Sequence, residues 1–159
     1  MDKKIIRCYN KTEVKLMKML VVSDTHGSTR MTRNILDTEK GITHLMHLGD
    51  GAKDAQLIKA DYPHLYTCFI KGNNDHFCDF PEKIVMDFSG YTIFATHGHL
   101  YGVRQNIYGL LKEATKYKAN LVLFGHTHLK FDGELNGIRF LNPSAYGAIL
   151  IDNGSLHFL

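Results

Sequence analysis

Met19-Leu20-Val21-Val22-Ser23-Asp24-Thr25-His26 decides the fold. Four apolar residues in unbroken succession read as a strand buried on both faces, the pattern of a parallel sheet. The run stops on a carboxylate and an imidazole two residues apart. The same order returns four times: residues 44–48 run into Gly49-Asp50, and residues 66–70 into Gly72-Asn73-Asn74-Asp75. Residues 91–95 run into Thr96-His97-Gly98-His99, and residues 121–124 into Gly125-His126-Thr127-His128. Each apolar strand ends in Asp, Asn or His with a glycine beside it or close by.

Between these strands the period changes to helical. Residues 28–40 place Met31, Ile35 and Leu36 on one face and stop at Gly41. Residues 54–61 form a short helix with Leu57 and Ile58 facing inward, and Pro63 prevents its continuation. A β-α-β-α-β start implies a parallel sheet with right-handed crossovers. The second half is richer in strands. Residues 84–88 and 91–95 flank the hairpin signal Ser89-Gly90, and residues 103–117 read as a helix with Ile107, Leu110, Leu111 and Ala114 on one face. Strands at 130–135, 138–141, 148–151 and 156–158 follow, with turn signals at Asn136-Gly137 and Asn153-Gly154. The expected architecture is α/β, two packed mixed sheets with helices outside.

Composition narrows the class. A chain of 159 residues, 44% hydrophobic and 22% charged, suits one soluble domain. No apolar run approaches the ~20 residues a membrane span needs. Residues 1–14 are polar and lack the apolar core of a secretory signal, so a cytoplasmic location is expected. Residues 1–16 read as an N-terminal extension, either an upstream start or a poorly ordered segment, before a domain at 17–159. The 19 basic and 16 acidic residues give +3, which permits a nucleic-acid partner without arguing for one. Cys8, Cys68 and Cys78 form no C-x-x-C pair and read as reduced packing thiols.

Taken singly, each strand exit is weak. An Asp after a strand is usually a cap or turn former, Gly-Asp and Gly-Asn are common turns, and one histidine can be a satisfied core residue. Their conjunction is not weak, because ligands of α/β sheets gather at the carboxyl ends of strands. Asp24 and His26, like His126 and His128, are two apart, so an extended backbone would point each pair the same way. His44, His47, His64, His76 and His157 have no such support and read as structural. Imidazole, carboxylate and amide donors without thiolate suit Mn²⁺, Fe, Zn²⁺ or Ni²⁺.

The ordered blocks D-x-H, G-D, G-N-x-D, H-G-H and G-H-T-H resemble the calcineurin-like metallophosphoesterases, specifically the small prokaryotic YfcE-type phosphodiesterases, over residues 17–159. The resemblance implies a four-layer αββα sandwich and two divalent ions, with Mn²⁺ favoured. By motif, Asp24, His26 and His128 hold one ion, Asn73, His97 and His126 the other, and Asp50 bridges both. It also implies attack by a metal-bridging hydroxide on a small phosphodiester, with His99 and Asn74 in the substrate pocket. Small relatives of this kind form dimers or tetramers, so a homo-oligomer is compatible with the resemblance.

Two departures carry weight. Asn74 stands where larger members have a histidine, and an amide cannot act as a general acid at neutral pH. His99 is then the best substitute acid, with Asp75 as an orienting carboxylate, and diesters with good leaving groups should be preferred. Ser144 follows Pro143 where relatives usually place glycine, which reads as a different turn. Tyr101 and Arg104, just after His99, are candidates for touching substrate. Two competing classes are a protein-binding scaffold on the same fold and a nuclease. Seven filled ligand positions argue against the first, and mild basicity without an added binding domain against the second.

Overall fold

Side-chain alternation along the first strand builds the layers. The computed structural model describes residues 17–159, so the expectations for residues 1–16 and for Cys8 lie outside the described residues. β1 (Lys18–Val22) sends Met19 and Val21 into one core and Leu20 and Val22 into another, all four fully buried. α1 (Arg30–Thr38), β2 (His44–His47), α2 (Ala52–Asp61) and β3 (Tyr66–Phe69) complete the first half. β4 (Lys83–Phe88), β5 (Tyr91–Thr96), α3 (Tyr108–Lys116) and β6 (Leu121–Leu123) follow. β7 (Phe131–Leu135), β8 (Ile138–Asn142), β9 (Ile149–Asp152) and β10 (Ser155–Phe158) close the chain.

The strands form two five-stranded sheets, ordered β10-β9-β1-β2-β3 and β4-β5-β6-β8-β7. Parallel pairing joins β1 to β2, β2 to β3, β5 to β6 and β6 to β8, while the remaining pairs are antiparallel. Met19, Val21 and Met46 of the first sheet, with Ile70 just after β3, meet Ile84, Ile93, Leu123 and Leu141 of the second in the central core. Leu20, Val22 and Leu45 face Ala55 and Ile58 of α2 and Ile35 of α1. Phe94, Val122 and Phe140 face Leu110 and Ala114 of α3. The result is the αββα sandwich. All three hairpin turns, Ser89-Gly90, Asn136-Gly137 and Asn153-Gly154, have positive φ at both residues, the geometry that matches strand twist.

Two local expectations fail. Leu57 is 54% exposed, and Ala55 takes the inward position beside Ile58. The third helix begins at Tyr108 rather than 103. Positive φ at Gly98 and Gly102 brackets a 3-10 turn at His99–Tyr101, and the Asn106 Oδ1 accepts the Tyr108 amide at 3.0 Å, starting the helix there.

Candidate metal centre

The expected residues gather at one end of the sandwich, beyond β1, β2, β3, β5 and β6. The local geometry is not extended as the two-residue spacing suggested. Asp24, His26, Asp50, His126 and His128 all have positive φ, at 54°, 44°, 56°, 68° and 62°. Such backbone is uncommon outside glycine and concentrates at functional sites. Its cause here is tertiary. The Asp24 amide donates to Gly49 O at 2.9 Å and the His26 amide to Asp50 O at 3.1 Å, so one turn is drawn onto the next. Gly72 and Gly125 permit the closest approaches: a Cβ on the first would strike Asp50, and on the second Ser23 Oγ.

Two groups of ligand atoms share Asp24. The first joins Asp24, His26 and His128, and the second Asp24, Asp50 and His97. The His128 Nε2 lies 3.2 Å from Asp24 Oδ1 and 3.2 Å from the His26 Nε2. The His97 Nε2 lies 3.5 Å from Asp50 Oδ2, 3.9 Å from Asp24 Oδ1 and 3.1 Å from Asn73 Oδ1. The His26 Nε2 is 3.9 Å from Asp50 Oδ2, which places Asp50 between the two groups. His126 joins through its ring, 5.2 Å from His97 between centroids.

These residues fit divalent cations. The His97 Nδ1 is 2.9 Å from Leu48 O, and since a carbonyl only accepts, Nδ1 carries a proton. Nε2 faces the oxygens, donating to them when the ring is charged and offering a lone pair to a cation when it is neutral. Asp24 Oδ1 is buried with no hydrogen-bond partner among the described residues, while Oδ2 accepts from Ser23 Oγ and the His126 amide. An orphaned carboxylate oxygen facing three imidazole nitrogens calls for positive charge. Burial alone would raise the Asp50 carboxyl, but hydrogen bonds with His97 and Asn74 outweigh it and hold it well below the usual carboxylate range. Burial opposes charge on His97, yet Asp50 and Asp24 raise it above its ordinary value.

The neighbouring residues divide differently from expectation. Asp75 is bonded to backbone amides rather than to His99. Its two oxygens accept the amides of Asp50, Gly51, Ala52 and Gly72 at 2.7–3.0 Å, fixing the Asp50 turn and the start of α2. Asn74 donates its backbone amide to Asp50 Oδ1 at 2.8 Å and its side-chain amide to Oδ2 at 2.6 Å. The His99 Nδ1 is buried with no hydrogen-bond partner among the described residues, and its ring lies 6.1 Å from that of His126. Tyr101 packs edge-on against Phe94 in the outer core. Arg104 is exposed, and its charge, after burial and His97, helps lower the His126 imidazole.

Sequence reasoning passed over two positioning groups. Asn142 is fully buried and donates to Gly125 O at 2.9 Å and Thr127 Oγ1 at 3.0 Å, pinning the last ligand turn. Its Oδ1 accepts the Ser144 amide at 2.9 Å, and Ser144, with φ 76°, adopts the conformation that glycine suits. His47, read only as structural, is buried among Thr25, Gly49 and Gly51. Burial depresses it to about 4, with Asp75, Asp54 and Asp24 pulling back only in part. His44 packs edge-on against Phe88. Cys68 is buried and Cys78 half-buried, and no disulfide joins them.

Comparison with known proteins gives a consistent result. The model of the calcineurin-like phosphoesterase superfamily domain matches residues 17–154. The probable metallophosphoesterase YsnB of Bacillus subtilis (strain 168) is 29% identical over 131 residues, 81% of this chain and 75% of YsnB. The crystal structure of a predicted phosphoesterase from Streptococcus pneumoniae TIGR4 is 25% identical with a TM-score of 0.73, covering 92% of this chain and 91% of that one. Two further structures share the fold alone. The phosphoesterase YfcE of E. coli has a TM-score of 0.65 at 22% identity, covering 88% of this chain and 91% of its own. Entamoeba histolytica Vps29 complexed with Zn²⁺ has a TM-score of 0.69 at 20% identity, covering 90% and 97%.

Proposed function

Because the chain belongs to the calcineurin-like phosphoesterase superfamily, we propose that it is a cytoplasmic, dinuclear metal-dependent phosphodiesterase of YfcE type acting on small diesters. The observation that carries this reading is the buried, unpartnered Asp24 Oδ1 facing the nitrogens of His26, His97 and His128. Asp24, His26 and His128 would hold one ion, Asn73, His97 and His126 the other, and Asp50 both. Mn²⁺ is the favoured ion, and Fe, Zn²⁺ or Ni²⁺ suit the same donors. When bound, such a pair supplies water of lowered pKa and positive charge for the phosphoryl oxygens.

The chain's own residues supply the rest. Asp75 and Asn74 hold the Asp50 carboxylate in place through its amide and both oxygens. The Leu48 carbonyl fixes the tautomer of His97. His99 is the residue proposed to donate its ring proton to the leaving oxygen, although burial and then His97 lower its imidazole below the ordinary value. Exposed Leu100 and Leu129, next to His99 and His128, give apolar surface suited to aryl ester groups. Turnover of a bis-aryl phosphate beside an aryl monophosphate, after Mn²⁺ loading, tests the reading. The diester should be preferred and Asp50→Asn should abolish most turnover; preference for the monoester would reverse the assignment. His99→Ala should slow a poor-leaving-group diester more than an aryl one. Likeness to zinc-bound Vps29 supports a second reading, a metal-binding scaffold for a protein partner. Metal uptake without turnover of either ester would favour it.

A further inference from the structure

Beneath the metal centre lies a buried polar chain that the proposed mechanism does not use. It runs from the end of β2 to the first turn of α2, through the turn after β1. The Gly49 amide donates to the His47 Nδ1 at 3.2 Å. The His47 Nε2 lies 2.9 Å from Thr25 Oγ1, and that hydroxyl donates to Asp54 Oδ2 at 2.5 Å. The Gly27 amide donates to the same Asp54 oxygen at 2.8 Å. His47, Thr25 and Asp54 are 1%, 7% and 3% exposed. A Cβ on Gly51 would strike both Thr25 Oγ1 and the His47 imidazole, so the helix start closes over the chain.

The directions are mutually fixed. Since Nδ1 accepts from Gly49, a neutral His47 carries its proton on Nε2 and donates it to Thr25. Since that hydroxyl has one proton, which goes to Asp54, its lone pair is free to receive the one from His47. Every bond points from Gly49 to Asp54. The chain borders both metal-holding turns: Gly49, at its start, precedes Asp50, while Thr25, within it, separates Asp24 from His26. Both bordering turns carry positive φ, a conformation that surrounding structure must impose.

We infer that His47, Thr25 and Asp54 form a one-way hydrogen-bond relay that locks the Asp24–His26 turn against the Asp50 turn, and so act as positioning residues for the metal-holding side chains. The inference rests on the metal-centre reading given above. A relay of this kind predetermines the spacing of the two carboxylates before any ion arrives, as outer partners of ligands do elsewhere.

Two measurements test it. Mn²⁺ binding by titration calorimetry should weaken by about 10–100-fold in Thr25→Val, which keeps the shape and loses the hydroxyl, and Thr25→Ser should recover most of the loss. Urea unfolding of the metal-free variants separates this from general destabilisation, because Ser and Val must then differ in affinity more than in stability. Wild-type affinity in Thr25→Val, or equal weakening by Ser and Val, overturns the relay. Imidazole ¹⁵N NMR of the wild-type protein decides the direction without any metal. His47 should be the neutral Nε2–H tautomer, and an Nδ1–H tautomer overturns the proposal. A wild-type chain that binds no Mn²⁺ removes the metal-centre reading, while the tautomer still decides the relay's direction.

Discussion

Acidification from pH 7 to pH 5 should destabilise this protein through His47. The imidazole ionises near 6.5 in an unfolded chain, and burial depresses it to about 4 in the folded one. As pH falls through 6.5 the unfolded chain takes up a proton that the folded one refuses, so stability falls. The loss begins near 6.5, grows to the folded value and is constant below it. At 1.36 kcal/mol for each pKa unit the full contribution is about 3 kcal/mol, of which about 2 kcal/mol is lost between pH 7 and pH 5. Urea unfolding of metal-free wild type and His47→Gln across this range is the assay. Gln keeps an N–H donor for Thr25 and cannot titrate, so contributions from His97 and other groups cancel in the difference. The wild type should lose about 2 kcal/mol more than the variant over those two pH units. Parallel curves would refute the reasoning.

Gly72→Ala places a Cβ against the Asp50 carboxylate and amide, so it should destabilise by about 1–3 kcal/mol and also lower Mn²⁺ affinity. Denaturation and metal titration on one sample check both. Phe140→Ala empties a fully buried position between β8 and α3, and should reduce unfolding free energy by about 3–5 kcal/mol while metal affinity stays near that of the wild type. Mn²⁺ at about 100 times its dissociation constant should raise stability by about 2.7 kcal/mol, and excess chelator should reverse the gain in a thermal melt.

Local pattern carried the sandwich and the strand-end residues that gather at one end of it. Unbroken apolar runs such as Met19–Val22 announced strands buried on both faces, and the two-residue turn signals matched the twist of their hairpins. What the pattern missed is tertiary. Positive φ at Asp24 and His26 arises from hydrogen bonds to Gly49 and Asp50, which no window around residue 24 contains. Asp75 looked like a partner for His99 because of its place in the motif, but four backbone amides from two turns claim its oxygens. His47 looked like an ordinary core histidine, since its meaning depends on Thr25 and Asp54, 22 residues before it and seven after. Leu57 misled because helical spacing alone does not fix the rotation of a short helix, and Ala55 packs inward instead.

The central claim is that seven side chains from five turns bind two cations. Metal analysis after equilibrium dialysis against Mn²⁺, for wild type and for Asp24→Ala, tests it most directly. The account predicts two bound ions per wild-type chain, and fewer at the same free Mn²⁺ once the Asp24 carboxylate is gone. A wild-type chain that retains no ion, or a variant that retains as many, would contradict it.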